Sequence, residues 1–208
     1  KKNKDFFKFN IKKSYKIFLF FLIIFSIYCS LTIGKSWDED FQLNSGRVTL
    51  NYLFSFGIID EHILYREYYS AIYWSLNYLL TQIFPHKYQI EASHLVNLIF
   101  SLGAVIGVGK LCKELFNKKV GKIVSLILFF YPIFFGHMSF NGKDMVLAFC
   151  HVWIFYLVIR YLRKQDIKDK ASNYTIFLGI LTAMATGVHL IFLGTLIPIF
   201  LFLLVEIF

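Results

Sequence analysis

Six stretches of mainly apolar residues recur along the chain, at about 17–34, 92–109, 123–138, 144–161, 174–192 and 195–208. Each predicts a membrane-crossing helix, because roughly 18 residues rising about 1.5 Å apiece span close to 27 Å. The fourth is short and is lengthened by Arg160, whose stem can lie in hydrocarbon while its head reaches water. The third carries Tyr131-Pro132 near its end. Gly194-Thr195 is expected to separate the last two.

Between the first and second runs lies a long polar stretch, 35–91, with aromatic patches. Residues 41–56 set Phe41, Val48, Tyr52 and Phe56 among Gln42, Asn44, Arg47 and Asn51. Residues 68–84 are uncharged and rich in Tyr and Trp. Both predict helices lying in the membrane interface rather than crossing it. The expected fold is therefore all-α: a polytopic transmembrane bundle of about six spans, with interfacial amphipathic helices in a large first external loop. Residues 1–208 form one unit of it.

Charge fixes the sidedness. Residues 1–16, 110–122 and 160–170 hold 17 of the 22 Lys and Arg, whereas the intervening loops hold only Lys35, Arg47, Arg66, Lys87 and Lys143. Eight of the 13 acids lie in those intervening loops. By the positive-inside rule the N-terminus is cytoplasmic, and 35–91 and the corner at 141–144 face outward. A crossing at 68–84 would reverse Lys118, Lys119 and Lys122 and destroy this asymmetry.

Composition supports the same class. The chain is 57% hydrophobic and only 17% charged, against about a quarter charged in soluble domains. The formal charge of +9 is accounted for by the cytoplasmic segments, so membrane lipids and not nucleic acid are the expected surroundings. Cys29, Cys112 and Cys150 are scattered and offer neither CxxC nor metal-ligand spacing. The first run lacks a small-residue cleavage site and reads as an anchor. The chain has no initiating Met and stops in an apolar run at Phe208, as expected of the N-terminal part of a longer protein. An integral, multi-pass membrane location is expected.

Two acidic corners then face one aqueous compartment. Asp38-Glu39-Asp40 follows the first span, and Asn141-Gly142-Lys143-Asp144 joins the third and fourth. Three adjacent carboxylates repel one another and must sit in water. A carboxylate at the lipid boundary can take a proton from an acceptor hydroxyl. A cation nearby can hold a phosphate leaving group, and Lys143, His137 and Arg47 are the candidates, with Asn141 beside them. Loop acids also solvate helix ends, and the residues alone leave both roles open. Asn97 and His151 are expected to tie spans together through hydrogen bonds. His151 lies on the helix face of Asp144. Glu206, within the last run, is costly in lipid.

The ordered pattern resembles the GT-C glycosyltransferases, in the bacterial branch similar to the protein O-mannosyltransferase and lipid A aminoarabinose transferase families. Four features carry it. They are Asp38-Glu39 after the first span, HLVNLIFSLGAVIGVGKLCKELF (His94 to Phe116), YPIFFGHMSFNGKDMVLAF (Tyr131 to Phe149) and GILTAMATGVHLIFLGTLIP (Gly179 to Pro198). The third resembles a family segment that usually reads Asn-Pro-Lys-Asp, with Gly142 here in place of Pro. The resemblance implies an inverting transfer from a polyprenyl-phosphate sugar donor to a lipid, glycan or protein acceptor outside the cytoplasm. It implies Asp38 as base, with Glu39 as its neighbour or alternative. Asp144 would be a second acid that orients the acceptor or, in some branches, helps bind a divalent metal. Lys143 would contact the donor phosphate. His189 stands where related sequences often carry Arg, and a neutral imidazole would bind phosphate less firmly. Other classes compatible with a polytopic chain are a transporter or lipid flippase and a non-catalytic membrane subunit. A transporter would place polar groups deep in several spans, whereas these acids gather at the span ends.

Overall fold

A computed structural model describes residues 2–58, 70–165 and 167–207, and every regular element among them is helical. In order these are α1 (Lys2–Thr32), α2 (Glu39–Phe54), α3 (Ala71–Thr81), α4 (Gln89–Leu115), α5 (Lys118–Phe130), α6 (Pro132–His137), α7 (Gly142–Leu162), α8 (Lys168–Val188), α9 (Phe192–Thr195) and α10 (Ile197–Ile207). Among the described residues, Ser14–Thr32, His86–Leu115, Gly142–Leu162 and Ala171–Val188 are long and apolar enough to cross a membrane. Their outward faces carry Phe20, Phe21, Ile99, Ile176 and Phe177, as suits a lipid solvent. The side chain of Glu206 lies outside the described residues, as do Asp60, Glu61, Arg66 and Glu67.

The other two expected spans are helical but shorter. Residues 123–138 are divided between α5 and α6, because Tyr131 is extended (φ −67°, ψ 116°) ahead of Pro132. A residue before proline is driven from the helical region, and Pro132 then suits the first position of α6. In the last run the break comes at His189, which is extended (φ −153°, ψ 115°), five residues before the expected Gly194. The 11 residues of α10 follow the short α9.

The bundle is built around α4, which contacts α1, α3, α5 and α7. Small residues let it approach its neighbours closely. A Cβ on Gly121 of α5 would sit 2.4 Å from the Gly109 carbonyl oxygen of α4, so that crossing admits no side chain. One apolar core joins Leu98 and Val105 of α4 to Phe129 and Met138. A second joins Tyr73 and Trp74 of α3 to Val146, Cys150 and Ile154 of α7 and to Ala185 and Val188 of α8.

Polar contacts set the helix directions. Glu114 near the end of α4 meets Arg160 at 3.1 Å and Arg163 at 3.0 Å near the end of α7, so α4 and α7 run parallel. Ser30 near the end of α1 meets His94 near the start of α4 and Ser139 just before α7. The two acidic corners therefore share one end of the bundle, and Lys113, Arg160 and Arg163 the other. The chain leaves α1 and enters α4 at the same end, so 35–91 makes no net crossing. The two helices expected in that loop are α2 and α3. They cross where a Cβ on Gly46 would lie 2.3 Å from the Trp74 carbonyl oxygen. α3 buries Tyr73, Trp74, Asn77 and Thr81 in the protein, while Ile72, Leu79 and Leu80 on it stay exposed.

Candidate active site

Asp38 opens α2, with Glu39 and Asp40 in the first turn, where carboxylates are favoured by the partial positive charge of a helix N-terminus. The three acids then part company. Asp40 points outward and pairs with Lys35. Asp38 is half-buried, and each of its oxygens accepts a hydrogen bond: Ser36 Oγ donates to Oδ1 at 2.7 Å and Gln42 Nε2 to Oδ2 at 2.7 Å. Two donors fix the plane of the carboxylate and leave lone pairs on both oxygens for a third partner.

Glu39 is turned inward and is buried. Its Oε2 accepts from the Ser36 backbone N–H at 2.6 Å, and its Oε1 lies 2.6 Å from His94 Nε2. The sequence reading gives His94 no role. The available signal was a histidine inside a span, which needs a polar partner. The expectation that all three acids sit in water is corrected here, because Glu39 leaves water to pair with His94.

The second corner is held as firmly. Asn97 Nδ2 donates to the Ser139 carbonyl at 2.7 Å, Ser101 Oγ to the Met138 carbonyl at 2.9 Å, and the hydroxyls of Ser30 and Ser139 are 2.6 Å apart. Asn97 thus ties α4 to the corner before α7 rather than to another span. Gly142 follows, and a Cβ there would meet Asn97 Oδ1 at 2.3 Å and the Tyr73 hydroxyl at 2.4 Å. The absence of a side chain at Gly142 therefore lets the corner sit directly on α3 and α4. Burial raises the pKa of the Tyr73 phenol above its ordinary value, so the group beneath Gly142 is a neutral hydroxyl.

Between the corners is a cleft of about 670 Å³. Asp38, Ser36 and Gln42 line it from one side and Asn141, Lys143 and Asp144 from the other, with Trp37, Phe41, Trp74 and Phe140 as apolar walls. Phe41 and Trp74 meet edge to face, with ring centroids 5.9 Å apart. Asn141 Nδ2 donates to Asp144 Oδ2 at 2.9 Å and lies 3.3 Å from His137 Nδ1. The cleft thus gathers Asp38, Asn141, Lys143 and Asp144 of the sequence-predicted set. Glu39, His137, Arg47 and His189 are not among its lining residues. His137 stands behind Asn141, and Arg47 is half-buried two turns further along α2. No group of three His, Cys, Asp or Glu side chains that could hold a metal ion occurs among the described residues. A divalent cation therefore finds no such donor set in the cleft.

His189 lines a second cavity of about 370 Å³ with Leu147, Ala148, His151, Ile191, Phe192 and Thr195. Asp144, Leu147, Ala148 and His151 lie on one face of α7, so this mainly apolar cavity continues the face on which the cleft begins.

A family model described as dolichyl-phosphate-mannose-protein mannosyltransferase matches residues 71–207. The matched region begins with α3 and contains Asn141, Lys143, Asp144 and His189, while Asp38, Glu39 and Arg47 precede it. No curated protein and no solved structure matches the chain.

Proposed function

The chain belongs to the dolichyl-phosphate-mannose-protein mannosyltransferase family, membrane glycosyltransferases of the GT-C type, and on that premise we propose an inverting transfer of a sugar from a polyprenyl-phosphate donor. The acceptor is a lipid, glycan or protein hydroxyl on the external face. The membrane is the bacterial inner membrane, with the N-terminus in the cytoplasm.

The observation that carries this reading is the single cleft shared by Asp38, Asn141, Lys143 and Asp144. Asp38 is oriented by Ser36 and Gln42 and accepts the proton of the acceptor hydroxyl as that oxygen attacks the anomeric carbon. The bond from that carbon to the phosphate oxygen breaks on the opposite side, which inverts the centre. The phosphate leaves with the electron pair, toward Lys143 and the N-terminal end of α7, where backbone N–H groups favour an anion. Asp144, bonded to Asn141, orients the acceptor. The aromatic walls give the apolar faces of a sugar ring a surface. The apolar cavity by His189 suits the first isoprenoid units of the carrier, with His189 and His151 at its polar edge.

The test is transfer by the full-length protein in liposomes, given labelled polyprenyl-phosphate hexoses or pentoses and a crude acceptor extract. A labelled product of inverted anomeric configuration supports the reading. Retention of configuration, or no transfer with any donor alongside measurable lipid translocation, contradicts it.

A further inference from the structure

We propose that Glu39 and His94 form a tether that holds Asp38 in register with the second acidic corner, and that Glu39 takes no part in the chemistry itself. This rests on the reading of Asp38 as the base. His94 and Glu39 are both buried, and they join the first loop to α4 across 55 residues of sequence.

The hydrogen-bond directions are determined by the partners. His94 Nδ1 lies 3.0 Å from the Ser30 carbonyl oxygen, which can only accept, so Nδ1 carries a proton. The 2.6 Å contact between Nε2 and Glu39 Oε1 then holds one further proton, on the ring or on the carboxyl. Either way the pair is neutral overall, which makes its burial affordable. Glu39 Oε2 accepts the Ser36 N–H, and the Ser36 hydroxyl donates to Asp38. An unbroken chain of bonds thus runs from α1 through His94, Glu39 and Ser36 to the Asp38 carboxylate. Ser30 also bonds Ser139, three residues before Gly142. Both corners hang from the same residue of α1, and the tether sets one against the other.

A tether needs shape and hydrogen-bond capacity, and a base needs a carboxylate. The Glu39→Gln side chain can still accept from Ser36 N–H and can donate to His94 Nε2, so it satisfies every partner. Glu39→Ala cuts both bonds. In His94→Asn the side-chain amide can keep the bond to Ser30, and only the link to Glu39 is lost.

The experiment compares these variants as full-length protein in liposomes, by hydrogen exchange of the Ser36 amide and by donor kinetics per folded molecule. In Glu39→Ala and His94→Asn the Ser36 amide is expected to exchange about tenfold faster or more. Their kcat falls at least about tenfold while donor KM stays within about threefold, because the base is misplaced but the phosphate site is intact. Glu39→Gln restores both readouts to near wild type. Unchanged Ser36 exchange in Glu39→Ala and His94→Asn would overturn the tether. Glu39→Gln as inactive as Glu39→Ala would overturn it also, by making Glu39 the reacting group. Absence of transfer by the wild type would count against the proposed function alone, since the exchange comparison still decides the tether.

Discussion

Ser30 and Ser139, hydroxyl to hydroxyl at 2.6 Å, join the end of α1 to the corner that precedes α7. The contact brings Asn141, Lys143 and Asp144 to the end of the bundle where Asp38 already stands. The cleft is therefore a product of helix ends meeting, and its geometry is carried by buried hydroxyl, amide and imidazole bonds beneath the acids.

Gly142 is where that arrangement tolerates least change. A methyl group there would lie 2.3 Å from Asn97 Oδ1 and 2.4 Å from the Tyr73 hydroxyl. Gly142→Ala is expected to lower stability by about 1–3 kcal/mol through overpacking. Gly142→Pro, which restores the residue usual in the resembling family, should do the same, because its ring carries that Cβ too. Thermal unfolding in detergent measures this, and a melting temperature equal to wild type for both variants would refute the close contact.

Lys143 is expected to act on the donor through charge. Lys143→Ala should raise donor KM by about tenfold or more, the loss of one hydrogen bond to a charged group. Lys143→Arg should recover much of it, since a guanidinium also binds phosphate. Steady-state kinetics with a purified donor decide the matter. An unchanged KM in Lys143→Ala would remove Lys143 from the phosphate site.

The sidedness can be read chemically. In a background freed of Cys29, Cys112 and Cys150, Asp40→Cys and Gln165→Cys should react with a membrane-impermeant thiol reagent from opposite faces of sealed vesicles. Labelling of both from one face would overturn the topology and the placing of the cleft outside the cytoplasm.

Much of this was legible in the sequence. Apolar run length and the placing of Lys and Arg gave the all-helical class, the long spans and the common face of the two acidic corners, because both depend on local composition. The break at Tyr131-Pro132 was visible as a proline, but its effect, two short helices in place of one span, needed the backbone. The early end of α8 at His189 had no comparable signal, since histidine is no helix breaker. Asp38, Asn141, Lys143 and Asp144 were singled out from charge and position, and all four line the cleft. Glu39 could not be told from Asp38 in that way. Adjacent residues at a helix start point in different directions, and which one is buried depends on His94, far along the chain. His137 stays outside the cleft in local contacts with Phe140 and Asn141.

The central claim is that Asp38 takes the proton of the acceptor. It is tested most directly by comparing wild type with Asp38→Asn in liposomes supplied with labelled polyprenyl-phosphate sugar and acceptor. The amide keeps an oxygen for Ser36 or Gln42 but loses the basic lone pairs of the carboxylate. Transfer by the wild type, falling at least about a hundredfold in Asp38→Asn with folding and donor KM preserved, is the predicted result. Equal transfer by both proteins would contradict it.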